Sequence, residues 1–270
     1  MTPYNFCGEI LNKLLNASTV HLHDDILIVC GGMADKKVFE KTGFKNVVIA
    51  SIDERVDRTK FVPYDFHFED VENLSYSGNA FDFVVVHSGL HHCFSPHRAI
   101  TEMYRVARKG ILIFEPYDNL ISRLGLRLGF GQEYEHYAVF DNDMRYGGVM
   151  NSEIPNYVYR FNNLEIIKTI KCCYPYGESK FRFFYKLNLP LGQLKGRKNK
   201  LPYMMLWLAS PFLRLLTLFT HKLCNNFAAL ALKPDLRENL YPWLLQDKKG
   251  EVHINPAWLE KRYVRNDYPK

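Results

Sequence analysis

Three histidines (His87, His91, His92), carboxylates at Asp53, Asp70 and Glu115, and the turn Cys30-Gly31-Gly32 each follow a short apolar run. These residue types can move protons, hold hydroxyls or let a backbone approach a ligand. A histidine near its ordinary pKa can serve as a general base at neutral pH. His91 and His92 are candidates for that role or a structural one, with Glu115 as a second candidate and His136 in a segment expected to cover the site. Glycines after a strand permit a tight turn and close backbone approach. The helix that follows offers free N–H groups and a positive dipole end. An acid about 20 residues beyond such a turn can accept both hydroxyls of a ribose; Asp53 fits, and Ser51 precedes it on the same side of the strand. Adjacent side chains point apart, so His91 and His92 do not suggest a metal site, and no metal is expected.

The elements that must position these groups are legible in the hydrophobic pattern. "EILNKLLN" (9–16) is read as a short helix, "DDILIVCGG" as a buried strand, "ADKKVFEKTG" as a helix stopped at Gly43, and "KNVVIAS" as a second buried strand. "DFHFED" and "AFDFVVVHSG" are read as the third and fourth strands. "SPHRAITEMYRVARKG" is read as a helix with Ser95 as N-cap, Pro96 in its first turn and Gly110 as its stop, and "ILIFEP" as a fifth strand. Apolar strands alternating with helices imply a parallel sheet covered on both faces, with ligands at the carboxyl ends of the strands. Beyond residue 116 the rhythm gives way to long loops with a short helix. "NLEIIKTIKCCYPYG" is read as a helix running into a strand and "CNNFAALALKP" as a late strand. Residues 178–223 read as an inserted cap, and 235–270 as a polar tail anchored by Tyr241, Trp243, Trp258 and Tyr263.

The run "DVENLSYSGNAFDFVVV" (70–86), followed by "GLHH" (89–92) and "ITEMYRVARKGILIFEP" (100–116), resembles class I S-adenosylmethionine-dependent methyltransferases, in their small-molecule branch. The resemblance covers roughly residues 24–116, with a family-like final strand at 225–233. It implies an α/β, doubly wound (Rossmann-like), mostly parallel seven-stranded sheet with an antiparallel last strand, helices on both faces and a C-terminal insertion or cap. It implies S-adenosylmethionine as cofactor and S-adenosylhomocysteine as product. By the same resemblance Cys30, Gly31, Gly32, Met33 and Ala34 wrap the methionine part. Asp53 or Ser51 takes the ribose, Asp70 and the Val71 backbone take the adenine, and His87 and Ser88 flank the sulfonium. The sequence departs from the family at Ile28, where an acid is usual, and at Cys30-Gly31-Gly32-Met33-Ala34, which stands for G-x-G-x-G.

Residues 1–234 are thus expected to form the methyltransferase domain, and 235–270 a tail packed on it. Methyl transfer to a small-molecule acceptor follows as the expected activity, with a sugar or glycolipid hydroxyl as the favoured class. A nucleotide-dependent oxidoreductase is disfavoured by the absence of G-x-G-x-x-G; a non-catalytic relative that has lost the cofactor is a third reading. The formal net charge of +6 has one dense cluster, "KGRKNK" (195–200), too short to indicate nucleic acid. The apolar run that follows it, up to residue 220, is read as a cap helix, a dimer interface or a peripheral membrane contact; monomer and homodimer both stay open. Six cysteines without C-x-x-C spacing point to reduced thiols, and the first residues lack the pattern of a signal peptide, so the expected location is cytoplasmic, with the membrane surface as an alternative.

Overall fold

The computed structural model describes residues 3–263; the expectations placed on positions 1–2 and on the end of the tail, 264–270, lie outside them. The chain opens with α1 (Pro3–Asn16), longer at its start than the pattern at 9–16 indicates, and continues through β1 (Asp25–Val29), α2 (Met33–Thr42), β2 (Asn46–Ser51), β3 (Asp65–Phe68), β4 (Phe81–His87), α3 (Pro96–Val106) and β5 (Ala107–Pro116). Then come α4 (Leu120–Arg127), α5 (His136–Asp141), α6 (Asn163–Cys173), β6 (Lys180–Lys186), α7 (Leu191–Gly196), α8 (Leu201–Leu216) and β7 (Asn226–Leu232). A short helix α9 (Leu236–Asn239), a hairpin of β8 (Leu244–Gln246) and β9 (Val252–Ile254), and α10 (Pro256–Glu260) complete the described chain.

The seven strands β1–β7 form one sheet in the order β3-β2-β1-β4-β5-β7-β6. Pairs among β1–β5 are parallel, and β7 runs antiparallel to both its neighbours. The central strands are buried on both faces, so they read as unbroken aliphatic runs rather than as alternations. One face packs on α3 and α6 through Ala99, Ile100, Met103, Ile166 and Ile170. The other packs on α1 and α2 through Phe6, Ile10, Leu14 and Phe39. Gly43 ends α2 in the left-handed conformation (φ 94°), as its position suggested. The carboxyl ends of β1–β5 therefore share one edge of the sheet.

Four expectations are corrected here. α3 stops at Val106, and Gly110 is a strand residue: a Cβ there would lie 2.5 Å from the Ala231 carbonyl oxygen, so glycine lets β7 approach β5. Ser95 sits at the N-cap position but its side chain makes no cap; Glu72 accepts the Phe94 and Ser95 N–H groups instead (2.7 and 3.1 Å). The segment 178–223 begins with β6, the sheet's outer strand, so only what lies between β6 and β7, chiefly α7 and α8, stands outside the sheet. In the tail, Tyr241 and Trp243 stack with centroids 4.4 Å apart, and Trp258 lies 5.8 Å from Trp243. Tyr263 is exposed and does not anchor the tail.

Candidate functional site

Two cavities open along the carboxyl edge of the sheet. The smaller, about 210 Å³, is lined by Cys30, Ser51, Ile52, Asp53, Glu69, Asp70, Val71, Ser88, Gly89, His92, Cys93 and the loop residues Gly147, Gly148, Met150 and Asn151. Residues at the ends of β1, β2, β3 and β4 meet here because a parallel sheet aligns those ends. Of the sequence candidates, Cys30, Ser51, Asp53, Asp70, Val71, Ser88 and His92 line this cavity; Gly31, Gly32, Met33, His87, His91 and Glu115 do not.

The turn after β1 explains part of that division. Cys30 adopts φ 52°, the left-handed region where glycine is usual. Gly31 must be small, since a Cβ would lie 2.7 Å from the Ile49 side chain, and its N–H donates to the Ala50 carbonyl (2.9 Å). Asp35 then bends back to accept the Gly32 N–H (2.9 Å) at the start of α2, where the helix dipole favours a carboxylate. The other Asp35 oxygen lies 3.3 Å from His87 Nδ1, so His87 is buried against α2 rather than against the cavity.

Asp53 is held by Arg55, whose Nε and Nη2 donate to its two oxygens at 2.7 and 3.0 Å. The Arg55 hydrogen bond, reinforced by its charge and by Asn151, keeps the Asp53 carboxyl below its usual pKa. Ser51 Oγ accepts the Asp53 N–H at 3.3 Å, so both ribose candidates belong to one hydrogen-bonded unit. Arg55 also lies 3.4 Å from the centre of the Tyr146 ring, tying the loop Gly147–Asn151 to the end of β2. That loop forms the outer wall of the cavity, and nothing in its sequence announced it.

The two adjacent histidines do not point apart. Gly89 and the 3₁₀ turn Leu90–His92 bring the His91 and His92 rings to 4.6 Å between centroids. Glu115, at the end of β5, accepts the Leu90 N–H (2.7 Å) and lies 2.6 Å from His91 Nδ1. His91 Nε2 is 3.3 Å from Glu135 Oε2, and His92 Nε2 is 3.5 Å from the same oxygen. Burial alone would lower the His91 pKa, but Glu115 and Glu135 together push it up to about 10. Without another cation His91 is thus an imidazolium donating to two carboxylates, which leaves it no lone pair for a base. His92 is shifted the other way, by burial and by the His91 charge. Its Nδ1 lies 3.2 Å from the Gly148 carbonyl, which makes Nδ1 the donor and leaves the Nε2 lone pair toward Glu135. Glu115, buried beneath His91, orients it rather than facing a ligand.

The larger cavity, about 590 Å³, lies between the ends of β5 and β7, the segment 187–190 and the helices α4 and α8. Leu124, Leu128, Leu189, Met205, Leu206 and Leu213 give it an aliphatic lining, while Glu135, Arg160 and Asn225 are among its few polar groups. Burial lowers the Arg160 pKa, and its guanidinium donates to the Val158 and Gln132 carbonyls (2.9 and 2.7 Å). Glu135 is the link between the cavities: it lines the larger, and His92, 3.5 Å away, lines the smaller. Sequence reasoning singled out His136, which is exposed and lines neither cavity, and missed its neighbour Glu135.

Residues 28–114 match the family model described as a methyltransferase domain. The matched stretch spans β1 to β5, so this part of the sheet is a methyltransferase domain by that model, and the sheet order is Rossmann-like with its late strand β7 antiparallel. Among solved structures, magnesium protoporphyrin IX methyltransferase from Synechocystis PCC 6803, with S-adenosylhomocysteine bound, is similar at TM-score 0.52 and 10% identity, over 86% of this chain and 84% of that one. The cyclase SpnF is similar at TM-score 0.50 and 13% identity, over 84% and 81%. An S-adenosylmethionine-dependent methyltransferase from Archaeoglobus fulgidus matches at TM-score 0.44 and 12% identity, over 84% and 94%. At these identities the first two structures speak for the fold alone. No curated protein sequence matches the chain significantly.

Proposed function

We propose that the chain transfers a methyl group from S-adenosylmethionine, held in the smaller cavity, to an amphiphilic small molecule held in the larger one. The observation that carries this is the His92–Glu135 contact, one partner in each cavity. The donor set of the smaller cavity fits a nucleoside. Ser51 and Asp53 offer acceptors for ribose hydroxyls, Asp70 an acceptor for an adenine amino group, and Val71 a backbone edge for the ring. The cavity volume lies below the roughly 300–1,000 Å³ of most ligand sites, so cofactor entry requires the loop Gly147–Asn151 to move outward.

S-adenosylmethionine supplies an electrophilic methyl on a sulfonium. The chain's own task is to place the acceptor atom about 3–3.5 Å from that carbon and in line with the departing sulfur. For a hydroxyl acceptor, the oxygen lone pair forms the new C–O bond, the C–S electron pair stays on sulfur as a thioether, and the hydroxyl proton goes to the His92–Glu135 pair. Loss of such a base typically costs 10²–10⁴-fold in rate. His91 holds Glu135 in place and does not accept the proton.

The lining of the larger cavity supports an acceptor with a substantial apolar part. A free sugar would leave most of its hydroxyls unpaired against leucine side chains, at a cost; a hydroxyl on a lipid or lipid-linked headgroup would not. Incubation with methyl-labelled S-adenosylmethionine and a lipid extract should move label into the organic phase. Label appearing only on water-soluble sugars would overturn the acceptor class, and failure to bind S-adenosylhomocysteine in calorimetry would overturn the reading as a whole.

A further inference from the structure

We propose that His91, His92 and Glu135 form a binding site for a divalent transition-metal ion, zinc or a metal of similar preference. Two imidazole Nε2 atoms and one carboxylate oxygen converge, all within 4.8 Å of one another. In a tetrahedral zinc site with bonds of about 2.0–2.2 Å, neighbouring ligand atoms lie roughly 3.3–3.5 Å apart. Glu135 Oε2 is 3.3 Å from His91 Nε2 and 3.5 Å from His92 Nε2. Two histidines and one carboxylate are a donor set used by catalytic zinc and by non-haem iron, with a further position left open for water or substrate.

The surroundings of the three ligands fit the same role. A metal-bound histidine usually gives its other ring N–H to a carboxylate or a backbone carbonyl, which fixes the tautomer and aims the lone pair. His91 Nδ1 is paired with Glu115 (2.6 Å), and His92 Nδ1 with the Gly148 carbonyl (3.2 Å). Both Nε2 atoms are thereby presented toward Glu135. Asn156 is buried beside them, with Nδ2 3.1 Å from the His91 carbonyl and 3.5 Å from Glu135 Oε2. Its Oδ1 is buried without a hydrogen-bond partner in the protein, an acceptor that a metal-bound water can satisfy. A divalent cation would sit between Glu135 and the His91 ring that Glu115 backs, so that its charge faces two carboxylates at this buried spot.

The ion's use rests on the donor and acceptor cavities proposed above and replaces the His92–Glu135 pair as base: with both side chains serving as ligands, the ion would hold an acceptor oxygen and lower its pKa, and the hydroxyl proton would leave to solvent before the methyl is transferred. Its existence does not rest on that function. Chelator-stripped protein titrated with zinc, and with cobalt(II) followed by visible absorption, should bind one ion per chain with a Kd below a micromolar. His92→Ala and Glu135→Gln should each weaken binding at least 100-fold, and Glu115→Gln by 10- to 100-fold. Asp247→Asn, in the exposed Asp247–Glu251–His253 cluster, should leave it unchanged. S-adenosylhomocysteine titration and thermal melting on the same samples separate loss of metal from loss of fold or of the methyl-donor site. No saturable binding of either ion to the wild-type chain, or binding undiminished in a folded His92→Ala protein, would overturn the site.

Discussion

At the residue scale, the site depends on a side chain that acts through others. Glu115 is fully buried under His91 and also takes the Leu90 N–H, so it fixes the whole turn that carries both histidines. Removing one partner of a buried ion pair leaves the other charge uncompensated, which commonly costs about 3–5 kcal/mol. Glu115→Gln keeps the shape and one hydrogen bond, so chemical denaturation of chelator-treated protein should record a loss of about 3 kcal/mol; a loss below 1 kcal/mol would mean that His91 is held by packing alone. Cys30 poses a different problem. Its left-handed backbone costs an ordinary residue roughly 1–2 kcal/mol and a β-branched residue more. Cys30→Gly should therefore leave stability within about 1 kcal/mol of wild type, while Cys30→Val should lose about 2 kcal/mol or more. Equal melting temperatures for the two variants would show that the turn relaxes freely. That Ser51, Asp53, Asp70, Ser88 and His92 would meet in one cavity was legible in the sequence because strand order alone brings strand ends together; that His87 turns to Asp35 of α2 was not. Glu135 was not, because it reaches the site from a long connection after β5 whose path is set by tertiary contacts, and His136 offered the more conspicuous chemistry one position away.

At the scale of elements, the strands were legible for a physical reason: burial on both faces demands continuous aliphatic runs such as Ile26–Val29 and Phe83–Val86, and few other elements read that way. The boundary between α3 and β5 was not. "RVARKG" continues an acceptable helical pattern, and the helix yields only because Ala107 pairs with Phe81 and Gly110 with Phe83 and Leu232. Gly110→Val would drive a side chain into the Ala231 carbonyl and the Leu232 backbone and should destabilise by about 3 kcal/mol, read as a lowered urea midpoint. The loop Gly147–Asn151 makes the complementary case, a wall of the smaller cavity with no periodicity to reveal it. A Cβ on Gly148 would meet the Ile154 carbonyl oxygen at 1.8 Å, and the Gly148 carbonyl is the partner of His92. Gly148→Ala should displace the loop and weaken S-adenosylhomocysteine binding about tenfold in calorimetry, with little change in melting temperature because the sheet is untouched. Unchanged affinity would mean that the loop is not part of the methyl-donor site.

On the scale of the whole molecule, the feature that the sheet does not account for is the face built by α4 and α8. Leu120 and Leu124 of α4, Met204, Leu208 and Phe212 of α8, and Phe219 just beyond it are all exposed, and such side chains gathered together mark an interaction surface. Lys195, Lys198 and Lys200 precede α8 directly, and Met205, Ala209 and Leu213 of the same helix line the larger cavity. Among the described residues no helix is long and apolar enough to cross a membrane, and Pro211 lies inside α8. A helix of this kind, with lysines at one end, suits the boundary between headgroups and acyl chains, and each lysine near an anionic surface contributes about 1 kcal/mol. Of the three readings open in the sequence, cap, dimer interface and membrane contact, the lipid acceptor proposed above would favour the last, and the test is direct. Vesicles containing anionic lipid should retain the protein in flotation, less so at high salt because the lysine contribution is screened. Leu208→Ser combined with Phe212→Ser should cut the bound fraction about tenfold at unchanged melting temperature, since neither side chain is buried. A concentration-dependent dimer that both substitutions dissolve, with no retention on vesicles, would assign this face to a second copy of the chain instead.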